Sequence, residues 1–167
     1  HYRAKSDMRP DPGAVLLIDA GASFLGYGSD ITRTYVHDNV HPVFLEILDG
    51  LEKLQRELVG STSPGTPFGD LHTMCNRGIA AILKETGIFK ISAEEAFTER
   101  LVYPFFPHGL GHHLGIQVHD VGGKISAPDG STVKPPETSP HLRSTRTLEV
   151  SHVVTIEPGI YFIPMLL

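Results

Sequence analysis

Apolar and polar positions change their period several times along the chain. Residues 14–19, Ala-Val-Leu-Leu-Ile-Asp, form a short continuous apolar run, the pattern of a buried strand. Gly21, Gly26 and Gly28 punctuate the next stretch, and Ile31-Thr32-Arg33-Thr34-Tyr35-Val36 alternates with β-branched residues. Two such runs around a Gly-rich turn predict a hairpin. From Pro42 to Val59 the period lengthens: Phe44, Ile47, Leu48, Leu51, Leu54 and Leu58 return every three or four residues. That spacing predicts an amphipathic helix with Pro42 in its first turn and Gly60 after it. A second helix is predicted from about Asp70 to Thr86, with Leu71, Cys75, Ile79, Ile82 and Leu83 inward and Gly87 as its stop. Ser92-Ala93-Glu94-Glu95 matches a capping box and should open a short third helix. Beyond residue 100 the pattern returns to strands and loops. Residues 153–157 and 160–163 read as strands around Pro158-Gly159, and residues 126–140, with four prolines, read as a long irregular loop. The order β, β, α, α, α, β predicts an α+β domain with helices covering one sheet face.

Composition narrows the function. The 167 residues carry a formal net charge of -5, which argues against a nucleic-acid partner. No apolar run approaches the ~20 residues of a membrane span. A single cysteine cannot close an internal disulfide, and Cys75 sits on the apolar stripe of a predicted helix, so core packing in a reducing, cytoplasmic compartment is its expected setting. The chain begins without Met and ends on the apolar run Phe162-Ile163-Pro164-Met165-Leu166-Leu167, so it reads as an interior piece of something larger. Ten histidines against 14 Lys plus Arg is the most unusual figure.

Four places concentrate side chains with chemistry. Asp19 and Asp30 lie eleven positions apart on the arms of the hairpin. A turn centred near Phe24-Leu25 would set them directly opposite, with Cβ atoms about 5 Å apart. Two carboxylates that close repel unless a proton or a cation lies between them. Next, Pro107-His108-Gly109-Leu110-Gly111-His112-His113-Leu114-Gly115, followed by His119-Asp120, places four histidines in twelve residues. Interleaved apolar residues argue that this segment is buried, and neutral imidazole is a common ligand for borderline metals. Glu157 closes an apolar strand and needs a partner if buried. Finally, Arg143 and Arg146 follow the Pro-rich loop; they are either surface charges or a grip for a substrate carboxylate. Asp19-Ala20-Gly21 matches the Asp-Thr-Gly loop of aspartic proteases only loosely, and neither a Gly-x-Ser-x-Gly elbow nor a His-Glu-x-x-His helix is present. Asp, Asp, His and Glu together favour Mn²⁺, Co²⁺ or Zn²⁺ over a thiolate site, and bridging carboxylates suggest two ions about 3.5–4 Å apart.

Asp19-x10-Asp30-Ile31-Thr32-Arg33-Thr34, His108-Gly109-Leu110-Gly111-His112, Val118-His119-Asp120 and Thr155-Ile156-Glu157-Pro158-Gly159, in that order, resemble the pita-bread metallopeptidases. Residues 105–123 look like those of bacterial Xaa-Pro dipeptidases (prolidases) and equally like the organophosphorus acid anhydrolases of the same group. The resemblance runs from His1 to Leu167. It implies the pita-bread catalytic domain over residues 1–167, incomplete at both ends, and hydrolysis of Xaa-Pro dipeptides with a side activity on organophosphorus esters. Residue by residue it implies Asp19, Asp30, His112 and Glu157 as ligands of two Mn²⁺ ions, Asp30 bridging, with Co²⁺ or Zn²⁺ as alternatives. Glu157 would double as the base for the attacking water. His108 and His119 would polarise the scissile carbonyl, while His1 and Arg143 would bind substrate, Arg143 at the proline carboxylate. A homodimer is implied for the complete protein.

The family's fifth ligand, a bridging Glu in a downstream Gly-Gly-x-Arg-x-Glu-Asp segment, lies past the end of this chain, as does its N-terminal domain at the other end. The 167 residues alone are therefore expected to be catalytically poor. Alternative readings are a non-catalytic metal-binding or association fragment, or another pita-bread hydrolase of the aminopeptidase or creatinase type.

Overall fold

A computed structural model describes residues 12–127 and 129–166. His1, expected to bind substrate, lies outside the described residues. The chain opens with a hairpin in two parts: β1 (Val15–Ala20) pairs antiparallel with β4 (Ile31–Val36), and β2 (Ser23–Phe24) with β3 (Tyr27–Gly28). Three helices follow, α1 (Pro42–Ser61), α2 (Phe68–Glu85) and α3 (Ala93–Thr98), and later a single 3₁₀ turn at Val121–Lys124.

The helices form where their apolar spacing and end signals agree. His41 caps α1 by accepting the Val43 N–H on Nδ1, and Pro42 takes the first helical position, where its missing N–H removes no bond. The helix runs through Gly60 to Ser61 rather than stopping before it. Ser92 accepts the Glu95 N–H, so the Ser92–Glu95 cap opens α3 as the sequence suggests. Leu54 and Leu58 of α1 and Phe68, Leu71, Cys75, Ile79 and Leu83 of α2 are buried against one another. Val102, Phe106, Leu110, Leu142 and Leu148 complete the core. Each such side chain contributes about 1.5–3 kcal/mol by leaving water. Cys75 is fully buried among them, and burial pushes its thiol pKa up.

Several expectations about the strands are corrected. The two central residues of the hairpin turn are Leu25 and Gly26, both at positive φ (51° and 85°), as in a type I′ turn. The turn is thus centred one residue later than expected, which moves the register by two: Asp19 faces Thr32, not Asp30. Because the side-chain period of a strand is two, the shift keeps Asp19 and Asp30 on one face as diagonal neighbours. β1 is not a buried strand; all six residues are exposed, Leu16 at 57%. Nor do helices cover a sheet face, because α1, α2 and α3 pack on one another and on the later loops, and neither β1 nor β4 meets a helix among the described residues. An apolar run reports strand propensity, whereas burial needs a partner layer.

Residues 160–163 form no strand either; Tyr161 N–H to the Phe105 carbonyl (2.8 Å) is their one backbone tie to a distant segment. Residues 153–157 are held more firmly. Leu114 donates to Val153 (3.0 Å), Thr155 to His112 (2.9 Å) and Glu157 to Leu110 (2.7 Å), an antiparallel pairing with one bridge at His113–Val154. This pairing positions the histidine-rich segment. The described residues between 126 and 140 stay irregular apart from one bridge residue, Thr132, opposite Ile125.

Leu25 holds a left-handed conformation that β-carbons disfavour, and it is 85% exposed. Leu25→Asn should stabilise the protein by about 0.5–1 kcal/mol, because Asn tolerates that region and the substituted side chain packs on little. A urea-unfolding midpoint that fails to rise would contradict the turn assignment.

Candidate metal centre

Three side chains from distant parts of the sequence converge. One ligand atom each of Asp30, His112 and Glu157 lies within 4.8 Å of the others. Asp30 directly precedes β4, at a break in the hairpin ladder where the Ala22 N–H turns to the Ser29 hydroxyl (2.9 Å). His112 and Glu157 come from the two paired extended segments. Gly111 permits that pairing, since a β-carbon there would lie 2.2 Å from the Thr155 carbonyl oxygen. Thr155 ties the two segments a second time: its hydroxyl accepts the His112 N–H (2.9 Å) and donates to the Glu157 carboxylate.

His112 is buried and its tautomer is decided by its neighbours. Nδ1 faces the His113 carbonyl at 2.9 Å, and a carbonyl only accepts, so Nδ1 carries the proton. Nε2 then presents its lone pair 3.2 Å from Asp30 Oδ2 and 3.1 Å from Glu157 Oε1, with no well-directed hydrogen bond to either. A bare nitrogen between carboxylate oxygens is repulsive unless a cation or a proton lies among them. One imidazole nitrogen with carboxylate oxygens, and the other ring N–H fixed by a carbonyl, is the donor set of a hard or borderline divalent ion. The residues fit a metal.

Electrostatics agree with this reading. Burial, then the charges of Glu157 and Asp19, hold the Asp30 pKa above the ordinary carboxylate value. Burial would raise Glu157 too, but the His112 and Thr155 contacts outweigh it and lower its pKa. For His112 burial works downward, and the contacts with Glu157, the His113 carbonyl and Asp30 prevail, so its pKa rises. Without a cation, a proton on His112 relieves part of the repulsion.

The centre opens into a cleft of about 530 Å³ lined by Asp19, His108, His112, His119, Arg143, Glu157 and Tyr161 among others. Asp19 sits at its edge, exposed and outside the close group of three, yet near enough for its charge to act on Asp30. His119 is exposed rather than buried, with its ring edge-on to that of His112 at 4.4 Å. Burial of part of its ring, then the Arg143 charge, lowers its pKa. His108 donates from Nδ1 to the Gly109 carbonyl (2.8 Å), and its Nε2 accepts from the Tyr161 hydroxyl (3.1 Å). Tyr161 escaped the sequence reading because it sits in an apolar run that looked like a strand. Arg146 pairs with Glu149 at 2.7 Å, so it is a local ion pair.

Residues 1–166 match the model of metallopeptidase family M24. The chain belongs to that family. It is 41% identical over 169 residues to the Xaa-Pro dipeptidase of Pseudoalteromonas atlantica, covering all of this chain and 38% of that protein. It is 49% identical over 168 residues to the Xaa-Pro dipeptidase of Marinobacter nauticus, covering all of this chain and 37% of the relative. Among solved structures, a histidine-to-alanine variant of Escherichia coli aminopeptidase P superposes with a TM-score of 0.74 at 33% identity, over 91% of this chain and 31% of that one. A zinc-substituted form of the same enzyme in complex with product gives 0.73 at 33% identity, over 90% and 31%. The chain thus spans under two-fifths of the curated relatives it matches, and its fold is part of the pita-bread domain of the M24 family.

Two outcomes follow for the M24 centre. Thr155→Val removes the hydroxyl that accepts the His112 N–H and donates to the Glu157 carboxylate, leaving the backbone pairing in place, and should weaken Mn²⁺ binding about 10- to 100-fold; unchanged affinity by calorimetry would contradict the role given to Thr155. Metal also competes with the proton on His112, whose pKa is raised. The apparent Mn²⁺ affinity should therefore be full above that pKa and fall as pH drops through it. A flat affinity between pH 8 and pH 5 would count against His112 as a ligand.

Proposed function

We propose that the protein is a metal-dependent dipeptidase that hydrolyses Xaa-Pro dipeptides, in which Asp19, Asp30, His112 and Glu157 would hold the metal. The observation that carries this reading is the polarised cleft. It is lined by His112 and Glu157 of the Asp30–His112–Glu157 group and also by Arg143, which has no carboxylate partner within 4.0 Å among the described residues. Xaa-Pro dipeptidases 41–49% identical over the whole chain support it further.

When bound, a divalent ion, Mn²⁺ first and Co²⁺ or Zn²⁺ as alternatives, supplies Lewis acidity and makes water a nucleophile near neutral pH. The zinc-substituted aminopeptidase P supports the alternative. Glu157, kept ionised by His112 and Thr155, accepts the proton of the attacking water. His119 reaches the cleft beside His112 and donates a hydrogen bond to the oxygen of the scissile carbonyl. His108 shares this task only as a doubly protonated ring with Tyr161 turned away from Nε2, because in neutral form its one N–H is taken by Gly109. His1 is assigned to the substrate side by resemblance. Arg143 takes both oxygens of the proline carboxylate, a planar recognition that lysine cannot make.

A requirement for that carboxylate favours dipeptides over the longer peptides of an aminopeptidase. Phosphotriesters, which lack it, enter the same open cleft as side substrates. A cytoplasmic homodimer completes the proposal; the buried, unpaired Cys75 fits a reducing compartment.

Arg143→Ala should weaken binding of an Xaa-Pro dipeptide by about 1.5–3 kcal/mol, roughly ten- to a hundredfold in KM. Metal content and hydrolysis of a dipeptide amide or a phosphotriester should hardly change. Equal losses on both substrate classes would show that Arg143 supports the fold or the metal centre instead.

A further inference from the structure

Lys124 lines the same cleft as Arg143, and no acid pairs with it within 4.0 Å among the described residues. A lysine facing a carboxylate-lined cleft without forming an ion pair is held there by its backbone. Lys124 ends the 3₁₀ turn that Asp120 caps by accepting the Gly122 N–H (3.2 Å). On one side the Lys124 carbonyl accepts the Val133 N–H (2.9 Å). On the other the Gly123 carbonyl accepts the Thr145 N–H (2.9 Å), and a β-carbon on Gly123 would lie 2.6 Å from the Arg143 carbonyl oxygen. The backbones that carry Lys124 and Arg143 therefore run side by side, and both side chains line one cleft.

We propose that Lys124 is a further specificity-determining residue, which works beside Arg143 on the free C-terminal carboxylate of the dipeptide. The assignment rests on the Xaa-Pro dipeptidase reading. A carboxylate offers about four lone-pair directions, and a bidentate guanidinium uses two of them. An ammonium on a flexible four-carbon stem is a compact charge that reaches one of the remaining directions without competing for the plane. The two cations then divide the work: Arg143 fixes orientation, and Lys124 adds charge neutralisation. Selection against substrates without that carboxylate becomes stronger than Arg143 alone provides.

The experiment measures Kd of the Mn²⁺-loaded protein for a non-hydrolysable reduced-bond analogue of Ala-Pro, as the free acid and as its amide. Lys124→Met should weaken the free acid about three- to tenfold and leave the amide unchanged. Lys124→Arg should restore most of the preference, and kcat on an Xaa-Pro dipeptide should stay within about twofold while KM rises. Equal shifts for acid and amide, or no shift for either, would overturn the proposal, as would an unmodified protein that binds both alike. Turnover by the full-length protein separates the two readings: a full-length protein that prefers the acid analogue but cleaves no Xaa-Pro dipeptide sinks the dipeptidase reading, while the acid-to-amide ratio still decides Lys124.

Discussion

The centre depends on the antiparallel pairing of residues 110–114 with residues 153–157. Glu157 N–H to the Leu110 carbonyl and Thr155 N–H to the His112 carbonyl place a histidine and a carboxylate from segments over forty residues apart within 3.1 Å. The contact survives only because Gly111 has no side chain to meet the Thr155 carbonyl. Leu110 is fully buried in the core built by α1 and α2, and Gln55 of α1 donates to the Ile156 carbonyl (3.1 Å), so the helices anchor both paired segments.

That pairing creates an electrostatic problem that gives the site its chemistry. Burial and the charges of Glu157 and Asp19 push Asp30 toward protonation, and His112 aims a bare nitrogen between Asp30 and Glu157. A folded chain tolerates such repulsion when a ligand relieves it, and a divalent ion is the relief whose donor preferences these atoms match. Arg143 and Lys124 line the same cleft and have no acid partner within 4.0 Å among the described residues. In the proposed function, the substrate carboxylate supplies the negative charge that these two cations lack.

The sequence made the three helices readable because their apolar spacing, the Ser92 cap and Pro42 all act locally. The convergence of Asp30, His112 and Glu157 was likewise legible, since titratable residues standing inside apolar or Gly-rich runs need a reason to be there. Quantities set by distant partners were less so. A turn centred one residue later than expected moved Asp19 opposite Thr32, because Leu25 accepts a positive φ that its side chain disfavours. β1 has the apolar run of a buried strand and yet stands exposed, since no helix reaches it. Tyr161 and Lys124 gave no signal in the sequence, because what matters about each is the cleft it lines. Residue 155 carried only the weak sign of a hydroxyl two positions before a carboxylate.

The most direct measurement is a crystal structure of the protein soaked with Mn²⁺, with anomalous differences recorded above the manganese edge. A peak about 2.0–2.3 Å from His112 Nε2 and from carboxylate oxygens of Asp30 and Glu157 is the result this account predicts. A peak elsewhere, or none at this centre under saturating Mn²⁺ with the three side chains still converged, would contradict it.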